Sequence, residues 1–367
     1  MNMEPVKFGV IGLGGMGAAH ATYLAQMQET HLVAVADIDE KSAGRIASET
    51  GARAYADYRQ LIDKGGIEAI VVATPHPFHP AMTEYAARHG IHVLCEKPIA
   101  VSVAAADKMI AVCRASGVLL GIVFQQRTEP SRRTMKGLID QGVLGELYRI
   151  SMTVSYYRPQ AYYEAAPWRG TWKGEGGGIL MNQAAHALDQ LVWMGGLPQR
   201  VQSMTRTRLH QVEVENTALA MFDYGADKAG WFYTSSADLL GGERLEVAGE
   251  CGALVWEDGN LRHLEVEQPL SQHLRTAPGM FDDIGGTWHD IAVEEMPSRY
   301  PEVLRAFARA VRHNDASLMY ASGEDGLRSL EMANAILMSG RWHKEIELPL
   351  DRDCYEHLLQ TLQNGTA

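Results

Sequence analysis

Cysteine is scarce in this chain. There are four in 367 residues, Cys95, Cys113, Cys251 and Cys354, and no two stand at C-x-x-C spacing. The sequence therefore carries no sign of a disulfide framework or a thiolate metal site, and the thiols are expected free in a reducing compartment. Runs of basic residues are also missing. The net charge is −12, which argues against nucleic acid or an anionic membrane as the main partner. No apolar run is long enough to cross a bilayer. The opening "MNMEPVKFGVIG" lacks the basic region and apolar core of a secretory signal, so a cytoplasmic location is expected. No internal repeat, low-complexity segment or metal-ligand cluster stands out, and no metal is expected.

What is present is the composition of a soluble globular protein, long enough for two domains. The first third alternates short apolar runs ("KFGVIG", "LVAVAD", "AIVVATP", "HVLCEK", "VLLGIVF") with helical patterns, including Met16–Gln28 and a helix from about Glu40. That pattern predicts a doubly wound parallel sheet covered on both faces, over residues 1–126. From residue 127 to 367 the pattern changes. A helix over Ser131–Gln141 is followed by longer alternating segments, "ELYRISMTVSYY", "RVQSMTRTRL", "ENTALAMFDYG", "AGWFYTSSA", "RLEVAGE" and "HLEVEQP". These predict an α+β domain with a large, mainly antiparallel open sheet. Three further helices are expected, from about Gly177, over Glu302–Arg312 and over Asp325–Ser339. The stretch "HLRTAPGMFDDIGGTWHD" reads as a long loop.

Gly12-Leu13-Gly14-Gly15-Met16-Gly17 matches G-x-G-x-x-G between a strand and a helix. The first glycine permits the tight turn, the second lets backbone approach a pyrophosphate, and the third lets the helix pack on the strand. Asp37 ends the second strand, with Ile38 next. A carboxylate there accepts hydrogen bonds from ribose hydroxyls and repels a 2′-phosphate, so NAD is predicted rather than NADP. Ligands of such sheets bind beyond the carboxyl ends of the strands. Two motifs fall there: Thr74-Pro75-His76 with His79 beyond, and Glu96-Lys97-Pro98. Both are candidate cofactor contacts, although His76 or His79 could instead cap the helix that follows. A lysine directly after a buried strand is either paired and solvated or placed to polarise a substrate hydroxyl.

"GGGILMNQAAH" places Asn182 and His186 four residues apart, with Asp189 three further on, within an otherwise apolar stretch. On a helix these three share one face. Such a stripe is either satisfied within a core or lines a cavity.

The dinucleotide motif with Asp37, "ATPHPFHPAMTEYAARHGIHVLCEKPIA" and "GEGGGILMNQAAHALDQLVWMGG" together resemble the glucose-fructose oxidoreductase/inositol dehydrogenase/rhizopine catabolism (Gfo/Idh/MocA) family over essentially the whole chain. The resemblance implies a Rossmann domain joined to an α/β domain whose open sheet builds a homodimer or homotetramer. It also implies oxidation or reduction of a secondary alcohol on a sugar, sugar derivative or cyclitol. The family's catalytic pair has the spacing D-x-x-x-H. His186 matches the histidine and stands as general base, with Lys97 polarising the hydroxyl. Asn182 occupies the carboxylate position and is expected to hold His186 without charging it. Substrate contacts are expected from Lys97, Arg127, Trp168, Arg169, Asn182 and His186. Trp168 and Arg169 lie in the aromatic segment "YYRPQAYYEAAPWRGTW", which fits a sugar-stacking wall or a core or subunit contact. Two rival functions remain at this stage, a non-redox dinucleotide sensor and a glycosidase that retains its NAD.

Overall fold

The computed structural model describes residues 4–294 and 299–365. Six strands form the first sheet: β1 (Val6–Ile11), β2 (Thr30–Ala36), β3 (Arg53–Tyr55), β4 (Ala69–Val72), β5 (His92–Cys95) and β6 (Leu120–Ile122). All pair in parallel, in the order β3-β2-β1-β4-β5-β6. The sheet is covered on both faces, which is why β4 reads as an unbroken apolar run with every residue buried. The reversal of strand order between β1 and β4 opens a crevice at their carboxyl ends.

Nine strands form the second sheet: β7 (Leu147–Ser155), β8 (Arg200–Arg206), β9 (Thr217–Asp223), β10 (Ala229–Ser235), β11 (Gly242–Gly249), β12 (Gly252–Glu257), β13 (Asn260–Glu265), β14 (Thr287–Ile291) and β15 (Ile346–Glu347). Their order is β14-β13-β12-β11-β7-β10-β9-β8-β15. All pairs are antiparallel except β7 with β10. In β8 and β9 burial alternates residue by residue, the mark of a sheet with one face on the core.

Several boundaries differ from the sequence reading. The expected loop over residues 273–290 instead holds the end of a helix, Leu270–Thr276, and most of β14. The helix expected from Gly177 begins at Ala185 and runs to Gly195. The chain also returns to the first sheet late. Helix Tyr300–His313 buries Val303, Leu304 and Phe307 in one cluster with Phe8 and Val10 of β1. Ser322 bridges to Gly121 of β6, so late residues help to cover the N-terminal sheet.

Candidate active site

The turn after β1 is built for close approach. Gly12 has φ +84°, and a Cβ there would stand 2.7 Å from the carbonyl oxygen of Ala73. A Cβ on Gly17 would lie 1.7 Å from the carbonyl oxygen of Gly12, so only glycine lets helix Gly15–Gln26 pack on the turn. Gly14, Gly15 and Met16 are exposed, and a Cβ on either glycine would meet nothing within 4 Å. No side chain caps this helix, so its first N–H groups are available to an anion. Asp37 is locked beside them. Its carboxylate accepts the Leu13 N–H at 2.6 Å and the Asp39 N–H at 2.8 Å. Ile38 beside it is 95% exposed. An open glycine turn, uncapped helix N–H groups and a fixed acid at the end of β2 fit a bound NAD.

The segments after β4 and β5 are fastened to each other. His79 is fully buried, with one ring nitrogen 2.9 Å from the Pro98 carbonyl oxygen and the other 2.8 Å from that of Thr74. Both ring nitrogens are thus committed to the Thr74 and Pro98 backbone. His79 thereby ties the loops carrying Thr74-Pro75 and Lys97 to each other. Glu96 is likewise internal. Its carboxylate lies 2.8 Å from His20 of the first helix and accepts the Lys97 N–H at 3.2 Å. Burial alone would raise the Glu96 carboxyl, but the hydrogen bond to His20 and the nearby charges hold it below its usual value. His76 reaches the other domain, with its ring 3.2 Å from the Glu175 carbonyl oxygen and edge-on to Trp168. Burial, then His79 and Lys97, push its pKa well below the ordinary value.

Lys97 points across the domain junction and donates from Nζ to the Asn182 carbonyl oxygen at 3.1 Å. Burial lowers its pKa, opposed by the charges of Glu96 and Glu175.

Residues 176–184 do not form the expected helix, for a long-range reason. The N–H groups of Gly178 and Leu180 donate to the Glu215 carboxylate at 2.9 and 3.1 Å, and the Ile179 N–H donates to the Glu215 carbonyl. Glu215 precedes β9 and is 5% exposed, and burial pushes its pKa up to about 7. A Cβ on Gly178 would stand 1.8 Å from the Glu215 carbonyl oxygen.

Asn182 therefore sits in a turn ahead of the helix and does not hold His186. Its Nδ2 donates to Glu175 Oε1 at 2.5 Å and lies 3.3 Å from the Tyr162 hydroxyl. His186, in the first turn of the helix, has Nε2 3.1 Å from Gln125 Nε2 and its ring edge-on to Phe124. Its Nδ1 has no protein partner among the described residues. Burial, and then the charges of Lys97, Arg132 and Arg299, hold its pKa well below the ordinary value.

Asp189, expected on the same polar face, is instead paired with Arg127 in a buried contact. Arg127 also donates to the Tyr320 carbonyl and to Asp325. These partners hold the Arg127 guanidinium within a buried network.

Trp168 and Arg169 do face the junction. The Arg169 guanidinium lies over the Tyr162 ring at 4.2 Å and the Trp168 ring at 4.7 Å, and it donates to the Tyr162 hydroxyl. Gln183 donates to the same hydroxyl at 3.0 Å. Arg169 also lines a cleft of about 340 Å³ with Gln160, Tyr163, Glu164 and Gln211. A larger cleft of about 620 Å³, lined by Trp172, Glu215, Arg341 and His357, includes none of the candidate catalytic residues. Sequence reading missed Glu175, Tyr162, Gln125 and His20 as members of this network. The available signal for Glu175 was a single acid between Trp172 and three glycines, directly ahead of the polar stretch.

Comparison with known proteins agrees with the geometry. Residues 6–124 match the model "Oxidoreductase family, NAD-binding Rossmann fold", and residues 132–255 match the GFO/IDH/MocA C-terminal domain. The chain is 31% identical to inositol 2-dehydrogenase 2 of Saccharopolyspora erythraea over 253 residues, 64% of this chain and 71% of that one. It is 24% identical to myo-inositol 2-dehydrogenase of Thermotoga maritima over 94% of this chain and 98% of that one. It superposes on the WlbA dehydrogenase of Bordetella pertussis, solved in complex with NADH and UDP-GlcNAcA, with TM-score 0.80 and 28% identity, covering 95% of this chain and all of the other. No described helix is long and apolar enough to cross a membrane. The chain belongs to the GFO/IDH/MocA family of NAD-binding oxidoreductases.

Proposed function

We propose that this oxidoreductase is an NAD-dependent dehydrogenase of a secondary alcohol on a sugar, sugar derivative or cyclitol. The observation that carries the reading is the meeting of Lys97 and the 182–186 segment. A lysine from the end of β5 reaches the Asn182 carbonyl at 3.1 Å, beside a His186 imidazole that its surroundings keep neutral. Bound NAD supplies the hydride acceptor; the chain supplies the proton chemistry. Lys97 Nζ, already a donor here, shifts its hydrogen bond to the substrate hydroxyl and stabilises negative charge developing on that oxygen. His186 takes the hydroxyl proton as general base, and its neutral form is the one able to do so. Asn182, whose side-chain amide is fixed by Glu175, holds the backbone carbonyl that Lys97 meets. Trp168 and Arg169 form the polar and aromatic wall suited to a polyhydroxylated ring. The relatives named for inositol dehydrogenation, and the one crystallised with a nucleotide sugar, support this substrate class.

The experiment is a panel of inositols, aldoses, glycosides and nucleotide sugars incubated with NAD, read by near-ultraviolet absorbance. Steady release of NADH with at least one member is expected. NAD binding without NADH from any member would overturn the reading in favour of a sensor. Glycoside cleavage without net NADH would overturn it in favour of a glycosidase that keeps its cofactor.

A further inference from the structure

The polar network around Lys97 contains a carboxylate that the family's D-x-x-x-H spacing does not provide for. Glu175 ends the short helix Trp172–Glu175 and is 2% exposed. One carboxylate oxygen accepts the Gly170 N–H and the other accepts the Asn182 side-chain amide, each at 2.5 Å. Its carbonyl oxygen meets the His76 ring, which secures this segment to the segment after β4. A carboxylate of this kind resolves the direction of the neighbouring amide. An ionised acid only accepts, so the NH₂ of Asn182 must face Glu175 and its oxygen must face away.

We propose that Glu175 is a positioning residue that supplies, from seven residues upstream, the negative charge missing at Asn182, so that the Glu175–Asn182 pair does the work of one carboxylate beside Lys97. The division of labour follows from the contacts. Glu175 carries the charge that favours the ammonium form of Lys97. Asn182 carries the acceptor oxygen. The groups around Lys97 are Glu96 on its own loop, His76 and His79 after β4, Arg169 from the aromatic segment, Glu175 from the short helix after it, and His186 from the long helix. Of the two carboxylates, Glu96 is already bound to His20 and to the Lys97 N–H. Glu175 is the one bonded to Asn182, whose carbonyl oxygen accepts from Lys97. Burial raises the Glu175 carboxyl above its usual value, and the Gly170 and Asn182 hydrogen bonds act against that.

The inference rests on the dehydrogenase reading, and the test separates the two. In Glu175→Gln the amide can still accept a hydrogen bond but the charge is gone. Lys97 then loses its proton more easily, and the alkaline limb of kcat/KM moves to lower pH by about one unit, with turnover down at least about tenfold. Glu175→Gln combined with Asn182→Asp returns a carboxylate to the site; the limb moves back and turnover recovers relative to the single variant. An unmoved limb in Glu175→Gln, or a double variant no better than the single one, overturns the assignment. NADH titration establishes that each variant is folded.

Should Glu175→Gln fail to bind NADH, Asn182→Asp alone decides. It sets two carboxyl groups within hydrogen-bond reach, so they share a proton, and a new acid-side ionisation appears above the usual carboxylate range. An unchanged acid limb in Asn182→Asp overturns the proposal. Lys97→Met serves as the control on the underlying reading. If it leaves NADH release intact, the role of Lys97 fails and that of Glu175 with it, whereas a parent chain that releases no NADH with any panel member fails the dehydrogenase reading itself. If Lys97→Met abolishes release while Glu175→Gln leaves the limb in place, only the role of Glu175 is lost.

Discussion

Arg127 and Asp189 form a two-pronged ion pair, with Nε and Nη2 of the guanidinium donating over 2.9 and 2.7 Å and only 3% and 1% of the residues exposed. The pair joins the segment after β6 to the helix that carries His186, and Asp325 and the Tyr320 carbonyl complete the arginine's shell. Removing one partner of such a pair leaves a charge in a dry site, at a cost of about 3–5 kcal/mol. Asp189→Ala is expected to lose stability by that order in urea denaturation. A loss under about 1 kcal/mol would show that Asp325 alone suffices to hold the guanidinium.

His186 is expected to act as a base of unusually low pKa. Burial comes first among the causes and the Lys97 charge second. A general base must be unprotonated, so activity rises with pH through its pKa, and a lowered pKa places the acid limb of kcat/KM below the ordinary histidine value of 6.5. Removing the cation in Lys97→Met raises the His186 pKa, readable by NMR titration of the imidazole even where turnover is weak. His186→Ala is expected to lower kcat by ~10²–10⁴-fold. A loss of only a few-fold removes His186 from the role.

Glu215 makes stability pH-dependent in a direction opposite to most carboxylates. Its pKa is raised from 4.5 to about 7 in the folded chain. Below 4.5 both states hold the proton and the group is neutral in its effect. As pH rises to about 7 the unfolded chain releases the proton freely while the fold resists, so stability falls through that window by about 3 kcal/mol. Glu215→Gln lacks this slope. Its stability relative to the parent chain should improve by that order between about pH 5 and about pH 8. An equal difference at both pH values would mean that Glu215 is not buried as a proton-holding carboxyl.

The same residue explains where sequence reading stopped. The parallel sheet, the glycine turn, Asp37 and the lysine after β5 were all legible, because each depends on local pattern: strand period, turn chemistry and position at a strand's carboxyl end. The start of the helix at Ala185 was not. Its apolar spacing suited a helix from Gly177, but the N–H groups that would have begun that helix are taken by Glu215, 35 or more residues away in sequence. The pairing of Arg127 with Asp189 was not legible for a similar reason, since neither residue announces a partner 62 positions away. Asn182 stood out in the sequence only as a departure from the D-x-x-x-H spacing that the resemblance implies. The acid that answers it, Glu175, lies upstream and in a different element.

Asp37 should decide between the two nicotinamide dinucleotides. Its carboxylate is fixed by the Leu13 and Asp39 N–H groups, so it cannot swing away from a 2′-phosphate without giving up both bonds. Like charges in contact cost several kcal/mol. Asp37→Ser is expected to shift the NADP-to-NAD ratio of kcat/KM toward NADP by at least about tenfold. If the ratio is unchanged, the acid at the end of β2 does not read the ribose.

The outer face of the second sheet should be covered by a second copy of the chain. Met204 lies opposite Leu219, and Met221 opposite Trp231, across β8, β9 and β10. These four side chains are 39–57% exposed, while the residues between them on β8 and β9 face the core. A contiguous exposed apolar patch is the form of surface that proteins cover by association. A twofold pairing of the same face answers it with no other partner, in keeping with the homodimer or homotetramer that the family resemblance implies. Light scattering on the purified chain is expected to give a dimer or a multiple of one. Met221→Arg together with Trp231→Arg places like charges opposite one another in such an interface and should yield monomers that still bind NADH, since the cofactor turn lies on the other sheet. A parent chain already monomeric at micromolar concentration would dismiss the second copy as the occupant of this face.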